Sequence, residues 1–126
     1  MSIRHTPITP ALGATIEGVD LAHLGPSEFR ELYEVWQRHH VIVLRDQRLT
    51  NQAFEDFSAM LGELDPPPNQ GAGRKSVPGH PNLSVVSNRK NAGGEPIGAL
   101  GDGEASWHTD MSYLERPPFA SMLWSV

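Results

Sequence analysis

The sequence predicts an α+β fold in which two helices pack on one side of a small, incomplete β-structure. Two segments, near residues 27–39 and 51–61, repeat apolar side chains at the spacing of one helix face. Between them, residues 41–44 read Val-Ile-Val-Leu without polar alternation, the pattern of a strand buried on both faces. With 126 residues, the chain forms one domain at most.

The composition excludes several classes of protein. The net charge is −5, with no basic run and no interleaving of basic and aromatic residues, so nucleic acid is not an expected partner. Because there is no cysteine, there is neither a disulfide framework nor a thiolate metal site. The first residues lack the apolar core of a signal peptide, and no apolar run approaches the length of a membrane span. We therefore expect a cytoplasmic protein with no membrane partner.

Short strands joined by a tight turn are predicted for residues 3–21. Gly13 and Gly18 flank the Thr-Ile-Glu segment at residues 15–17, and glycines in such positions mark turns. This stretch carries no chemistry of its own, so its expected role is that of an edge hairpin.

The first helix should begin at Pro26, a residue suited to a first helical turn, with Gly25 or Ser27 as its cap. Four large apolar residues follow at i, i+3, i+4 and i+7 and should form the buried face: Phe29, Leu32, Tyr33 and Trp36. The helix closes at His39 and His40. Because cations are favoured at a helix C-terminus, a structural role is sufficient for both histidines.

The second helix should begin after Thr50, whose hydroxyl can cap it, and end before Gly62. Its apolar face comprises Phe54, Phe57 and Leu61.

Two long loops and two further strands complete the predicted architecture. A loop runs from residue 65 to 81 and a strand from 83 to 87, followed by a glycine-rich loop at 88–105. Because no Gly-Lys-Ser/Thr follows, those glycines indicate a mobile flap over a cleft rather than a phosphate cradle. Residues 119–126 are predicted to be a buried strand, and since the sequence stops inside this apolar element, we expect a truncated piece.

His108 and Asp110 are the candidate metal ligands. Residues at i and i+2 on extended backbone project to the same side, so one metal ion can take both side chains. Trp107 and Thr109 should point the other way, with Trp107 packed, and the pair should face a concave surface between the sheet and the glycine-bearing loops. The spacing alone is common by chance among six histidines and fifteen acidic residues, so a surface turn with a solvated Asp is the alternative.

The context of this pair resembles the TauD/TfdA family of Fe(II)- and 2-oxoglutarate-dependent dioxygenases. The motif is Trp-His-Thr-Asp-Met-Ser-Tyr at residues 107–113, followed by Glu-Arg-Pro-Pro at 115–118. Segments earlier in the chain also resemble the family, in the family's order, and they cover residues 11–14, 18–21, 39–47 and 62–64. The resemblance therefore extends over nearly the whole chain.

The resemblance implies a distorted double-stranded β-helix, or jelly roll, with flanking helices. Residues 1–126 would then form a single incomplete domain without its C-terminal strands. His108 and Asp110 would be catalytic residues and the first two iron ligands. The third ligand, a His, would lie beyond Val126 together with the Arg and Thr that bind 2-oxoglutarate. We therefore expect the fragment alone to be inactive.

The activity implied is hydroxylation of a small organic substrate with O₂, coupled to decarboxylation of 2-oxoglutarate to succinate and CO₂, with Fe(II) as cofactor. Taurine itself is in doubt, because Pro67 and Gln70 stand where taurine-type members place a His and a Tyr. The candidate substrate contacts are Asn69, Gln70, Asn88 and Glu104, and the basic Arg74, Lys75, Arg89 and Lys90 suit an acidic substrate unless they are ordinary solvated charges. A homo-oligomer is left open.

Two other classes of function remain alternatives. One is a cupin-like metal-binding module without oxygenase activity. The other is a structural or partner-binding domain in which His108 and Asp110 are merely polar. A His and then an Arg on late strands of the downstream sequence would decide for the dioxygenase class.

Overall fold

The computed structural model describes residues 3–65, 76–98 and 106–126, and the chain divides into two compact units, Met1–Leu61 and Gly62–Val126. The first unit contains both helices and a three-stranded sheet, and the second contains a two-stranded sheet. The prediction of two helices with small β-structures is confirmed.

The first unit opens with the predicted hairpin. Strand β1, Arg4–Pro7, pairs antiparallel with β2, Ala14–Glu17. The Ile8 N–H donates to the Gly13 carbonyl at 2.8 Å, which closes the connecting loop. Gly13 has φ +88°, a conformation that costs glycine little and other residues more.

Helix α1, Pro26–His39, follows a short 3₁₀ turn, Leu21–His23. It starts at Gly25, whose N–H donates to the Glu28 carboxylate at 3.0 Å, so the glycine of the two predicted caps is used. Leu32 and Val35 are its buried residues, whereas the aromatic side chains of the predicted face are only partly buried. The buried face of α1 is therefore centred on Leu32 and Val35 rather than on the aromatic residues.

Strand β3, Ile42–Leu44, lies parallel to β2 and completes the sheet order β1-β2-β3. The prediction that residues 41–44 are buried on both faces is wrong, because this strand is half-buried and Val41 is exposed. The physical reason is its place at the sheet edge, where β2 is its only strand neighbour within residues 3–65.

Gln47 ties the end of β3 back to the 3₁₀ turn. Its amide nitrogen donates to the carbonyls of Val19 and Arg45, at 2.9 and 3.0 Å, and its oxygen accepts from the Leu21 N–H at 3.0 Å. Helix α2, Asn51–Ala59, then packs on the same turn, with Phe57 as its buried apolar residue. The Thr50 hydroxyl caps α2 by accepting from the Ala53 N–H at 3.1 Å, as predicted.

The second unit begins with a hairpin of β4, Ser76–Val77, and β5, His80–Ser84. The strand predicted at residues 83–87 therefore starts earlier and ends at Ser84. Beyond it, residues 89–97 fold back on themselves, and the Ile97 N–H donates to the Arg89 carbonyl at 3.0 Å.

Residues 119–126 form no helix or strand, so the prediction of a buried strand there is wrong. Phe119 and Leu123 are 65% and 89% exposed. A strand needs a neighbour to hydrogen-bond with, and no strand among the described residues pairs with this segment. Across residues 3–65, 76–98 and 106–126, no helix has both the length and the apolar character needed to cross a bilayer.

Candidate metal centre

The His-Asp pair lies where the chain enters a turn in the second unit, with Asp110 as the first residue of the turn. Residues 106–109 have no regular secondary structure, and a turn starts at Asp110. Met111 adopts φ +49°, and the Leu114 N–H donates to the Met111 carbonyl at 3.1 Å. This turn reverses the chain immediately after the second candidate ligand.

The side chains of His108 and Asp110 converge, as their spacing predicts. Nε2 of the imidazole lies 3.1 Å from Oδ1 of the carboxylate. Their side chains are 62% and 55% exposed, so both remain hydrated and open to a ligand from solvent.

The second imidazole nitrogen is also engaged. Nδ1 of His108 lies 2.7 Å from the Ser106 carbonyl, so it carries a proton and donates to that oxygen. In the neutral ring, Nε2 then holds the lone pair that a metal needs, and in the charged ring it donates to Asp110. The hydrogen bond to Ser106, followed by the hydrogen bond and charge of Asp110, raises the pKa of His108 above the ordinary histidine value.

The second oxygen of Asp110 has a different neighbour. The Ser121 hydroxyl donates to Oδ2 at 2.9 Å, across eleven residues of sequence. The two carboxylate oxygens are thus distinguished, with Oδ1 on the imidazole and Oδ2 on a hydroxyl.

This arrangement fits a metal that takes one nitrogen and one oxygen from the pair. Two ligands placed at right angles, each about 2.1 Å from one octahedral ion, are about 3.0 Å apart. The observed separation of Nε2 and Oδ1 is 3.1 Å, so the two donor atoms lie at the spacing that one such ion needs. Groups of three or more His, Cys, Asp or Glu able to hold a metal do not occur within the described ranges, so the pair offers two ligands.

The prediction that Trp107 is packed is wrong, because its side chain is fully exposed. None of the described residues covers this indole. Thr109 is exposed as well. The predicted concave surface depends on loops that include residues 66–75 and 99–105, which lie outside the described residues.

The predicted substrate contacts fall mostly outside the described residues, where Asn69, Gln70, Arg74, Lys75 and Glu104 all lie. Three described candidates are exposed and adjacent in sequence at the base of the 89–97 fold: Asn88, Arg89 and Lys90. Lys90 forms an isolated antiparallel bridge with Pro96.

Ser106 and Ser121 are the residues that sequence reasoning missed. Ser106 acts through its backbone carbonyl, which any residue supplies, so the residue type at this position does not predict the contact. Ser121 meets Asp110 only because the intervening turn returns the chain, and no short-range pattern encodes that contact.

A second His-Asp contact in the chain shows what a purely structural pair looks like. Asp20 caps the 3₁₀ turn by accepting from the Ala22 N–H at 3.0 Å, and it contacts Nδ1 of His23 at 2.9 Å. The His23 hydrogen bond, followed by that of Ala22, lowers the pKa of Asp20. Here the imidazole uses the nitrogen nearest its backbone, and the carboxylate serves a helix end.

Comparison with known proteins shows which family the chain matches. A family model described as taurine catabolism dioxygenase TauD, TfdA family matches residues 4–126. An alpha-ketoglutarate-dependent sulfate ester dioxygenase of Pseudomonas putida is 33% identical over 122 residues, covering 95% of this chain and 36% of the relative. Pentalenolactone F synthase of Streptomyces avermitilis is 30% identical over 111 residues, covering 84% of this chain and 34% of the relative.

A solved structure is similar as well. The crystal structure of a taurine dioxygenase from Burkholderia xenovorans aligns with a TM-score of 0.56 at 36% identity, covering 64% of this chain and 28% of that one. The chain spans about a third of the length of the curated relatives it matches.

Proposed function

The chain belongs to the taurine catabolism dioxygenase TauD, TfdA family, and from that premise we propose that the intact protein is an Fe(II)- and 2-oxoglutarate-dependent dioxygenase. It hydroxylates a small organic substrate with O₂ while 2-oxoglutarate is decarboxylated to succinate and CO₂. The observation that carries this proposal is the convergence of His108 Nε2 and Asp110 Oδ1 at 3.1 Å.

His108 and Asp110 hold the iron in this proposal. The imidazole binds through Nε2, since Nδ1 is committed to the Ser106 carbonyl, and the carboxylate binds through Oδ1. Bound Fe(II) supplies the chemistry of O₂, which side chains alone do not perform. The pair would supply two of the three protein ligands of a 2-His-1-carboxylate site, and a further His would supply the third.

The third ligand and the residues that bind 2-oxoglutarate come, in this proposal, from outside residues 1–126. Residues 1–126 then form one incomplete domain of the jelly-roll type, and this fragment alone does not turn over. The support is that the chain spans about a third of its curated relatives and holds two converging ligands.

The substrate is proposed to be a small molecule with an anionic group. Two matched proteins are named for a sulfate ester and for taurine, and Arg89 and Lys90 are exposed cations in the same unit as the ligand pair. Asn69, Gln70, Asn88 and Glu104 are proposed as further polar contacts of the substrate. Taurine itself stays disfavoured because of Pro67 and Gln70.

Titration of the full-length protein with 2-oxoglutarate in the presence of Fe(II), without O₂, tests the proposal. The expected result is the visible charge-transfer band that a keto acid gives when it chelates Fe(II). His108→Ala should abolish the band, and His23→Ala should keep it, because His23 belongs to the structural pair. A protein that binds Fe(II) without the band is a cupin-like module, and one that does not bind Fe(II) is a structural domain. Either result would overturn the proposal.

A further inference from the structure

The carboxylate of Asp110 is held at one oxygen by a residue with no assigned role. The Ser121 hydroxyl donates its proton to Oδ2 at 2.9 Å, while Oδ1 faces His108 Nε2 at 3.1 Å. A serine hydroxyl has a single proton to donate, and in this structure Oδ2 accepts it.

The contact depends on the path of the chain between the two residues. The turn that starts at Asp110 includes Met111 in the left-handed region, and Pro117 and Pro118 precede the returning segment. The returning segment brings Ser121 back to the carboxylate although it has no regular secondary structure. A side-chain contact formed across eleven residues orients Asp110 from outside its own turn.

We infer that Ser121 is a positioning residue that holds Asp110 for binding of the metal through Oδ1 alone, an inference that rests on the proposed function. A carboxylate can bind a metal through either oxygen or through both. A hydrogen bond at Oδ2 restricts rotation of the group and leaves Oδ1 beside Nε2 of His108. Groups that orient metal ligands in this way typically change metal affinity by about 10–100-fold when they are removed.

Ser106 makes the matching contact at the other ligand. Its carbonyl accepts from Nδ1 of His108 at 2.7 Å and so fixes the ring with Nε2 toward Asp110. The backbone thus orients the imidazole and a side chain orients the carboxylate. Only the second contact can be removed by substitution, which makes Ser121 the residue to test.

Calorimetric titration of the full-length protein with Mn(II) tests the inference, because Mn(II) binds to nitrogen and oxygen ligands without the redox chemistry of iron. Ser121→Ala should raise the dissociation constant about tenfold. Ser121→Thr, which keeps the hydroxyl, should restore it to within about twofold of the parent value. Ser125→Ala is the matched control, since Ser125 is an exposed serine in the same segment, and it should leave the affinity unchanged.

Unchanged affinity in a folded Ser121→Ala protein would overturn the inference, and so would a Ser121→Thr protein as weak as Ser121→Ala. His108→Ala in the same titration separates this failure from failure of the proposed function. If His108→Ala binds Mn(II) as the parent does, the proposed metal site is wrong. If His108→Ala loses binding while Ser121→Ala keeps it, only the role of Ser121 is wrong.

Discussion

His108 has an acceptor at each of its ring nitrogens. The Ser106 carbonyl lies at Nδ1 and the Asp110 carboxylate lies at Nε2, at 2.7 and 3.1 Å. Both contacts favour the imidazolium, which raises the pKa of His108. A metal at Nε2 must displace a proton there, so metal affinity should fall as the pH decreases through this raised pKa.

The pKa of His108 can be measured by following its ring C–H signals in a pH series by NMR on the metal-free protein. We expect a value above the ordinary one near 6.5, and Asp110→Asn should lower it part of the way back. The reduction should be partial because the largest cause, the hydrogen bond to Ser106, remains. Since the pKa is raised, the contacts stabilise the fold below the unfolded value and the stabilisation is lost as the pH rises through the folded value. A value below 6.5 would contradict the observed contacts.

At the residue scale, the sequence predicts contacts between residues close in sequence and misses those that depend on the turn after Asp110. The i, i+2 separation of His108 and Asp110 predicts that their side chains lie on the same side of non-helical backbone, and the two side chains do meet. The exposure of Trp107 and the contact of Ser121 depend on how the chain continues after Asp110, and no local pattern encodes that path.

Helices were predictable because their signal is local. The stripes of α1 and α2 and the capping hydroxyl of Thr50 lie within one short window of sequence each. Strands are different, because an apolar run becomes a strand only beside another strand. Residues 42–44 pair with β2, whereas residues 119–126 pair with no described strand and are largely exposed. Both runs are mainly apolar in sequence, and only the first has a neighbouring strand among the described residues.

The end of helix α1 provides a test at the element scale. His40 has φ +63°, its N–H donates to the Trp36 carbonyl at 2.6 Å, and its side chain is exposed. Relief of about 1–3 kcal/mol of backbone strain at this φ outweighs the roughly 0.4–1 kcal/mol of extra unfolded-state entropy that a glycine brings, so His40→Gly should stabilise the intact protein by about 0.5–1 kcal/mol in a denaturant melt. His39→Gly is the control. His39 is the last residue of the helix and its ring packs edge-on against that of His5, so His39→Gly should destabilise the protein by about 1 kcal/mol. Destabilisation by His40→Gly would contradict the helix end described here.

At the scale of the whole molecule, the 126-residue chain exposes a large amount of apolar side chain. The most exposed examples lie in the second unit and are Trp107, Tyr113, Leu123 and Val126. Large exposed apolar patches favour association. We therefore expect the isolated chain to form dimers or larger species whose light scattering rises with protein concentration. A monodisperse monomer with a cooperative melt would show that these side chains do not drive association.

The resemblance of the whole chain to the TauD/TfdA family was predictable because the family's motifs occur in the family's order, from residues 11–14 to the His-Asp pair. The match to residues 4–126 confirms it. The substrate was not predictable, since substrate contacts depend on how distant loops meet. Asn88, a proposed substrate contact that lies within the described residues, is exposed, but an asparagine alone does not identify the substrate.

Formation of succinate from 2-oxoglutarate by the full-length protein tests whether His108 and Asp110 hold a catalytic iron. We expect Fe(II)-dependent succinate that disappears in both His108→Ala and Asp110→Ala, with an unchanged far-UV circular dichroism spectrum, because each variant removes one metal ligand. His23→Ala should keep normal turnover, because it alters a His-Asp contact of similar length that serves a helix end. Near-normal turnover in either His108→Ala or Asp110→Ala would show that the pair does not hold the metal and is a polar surface turn.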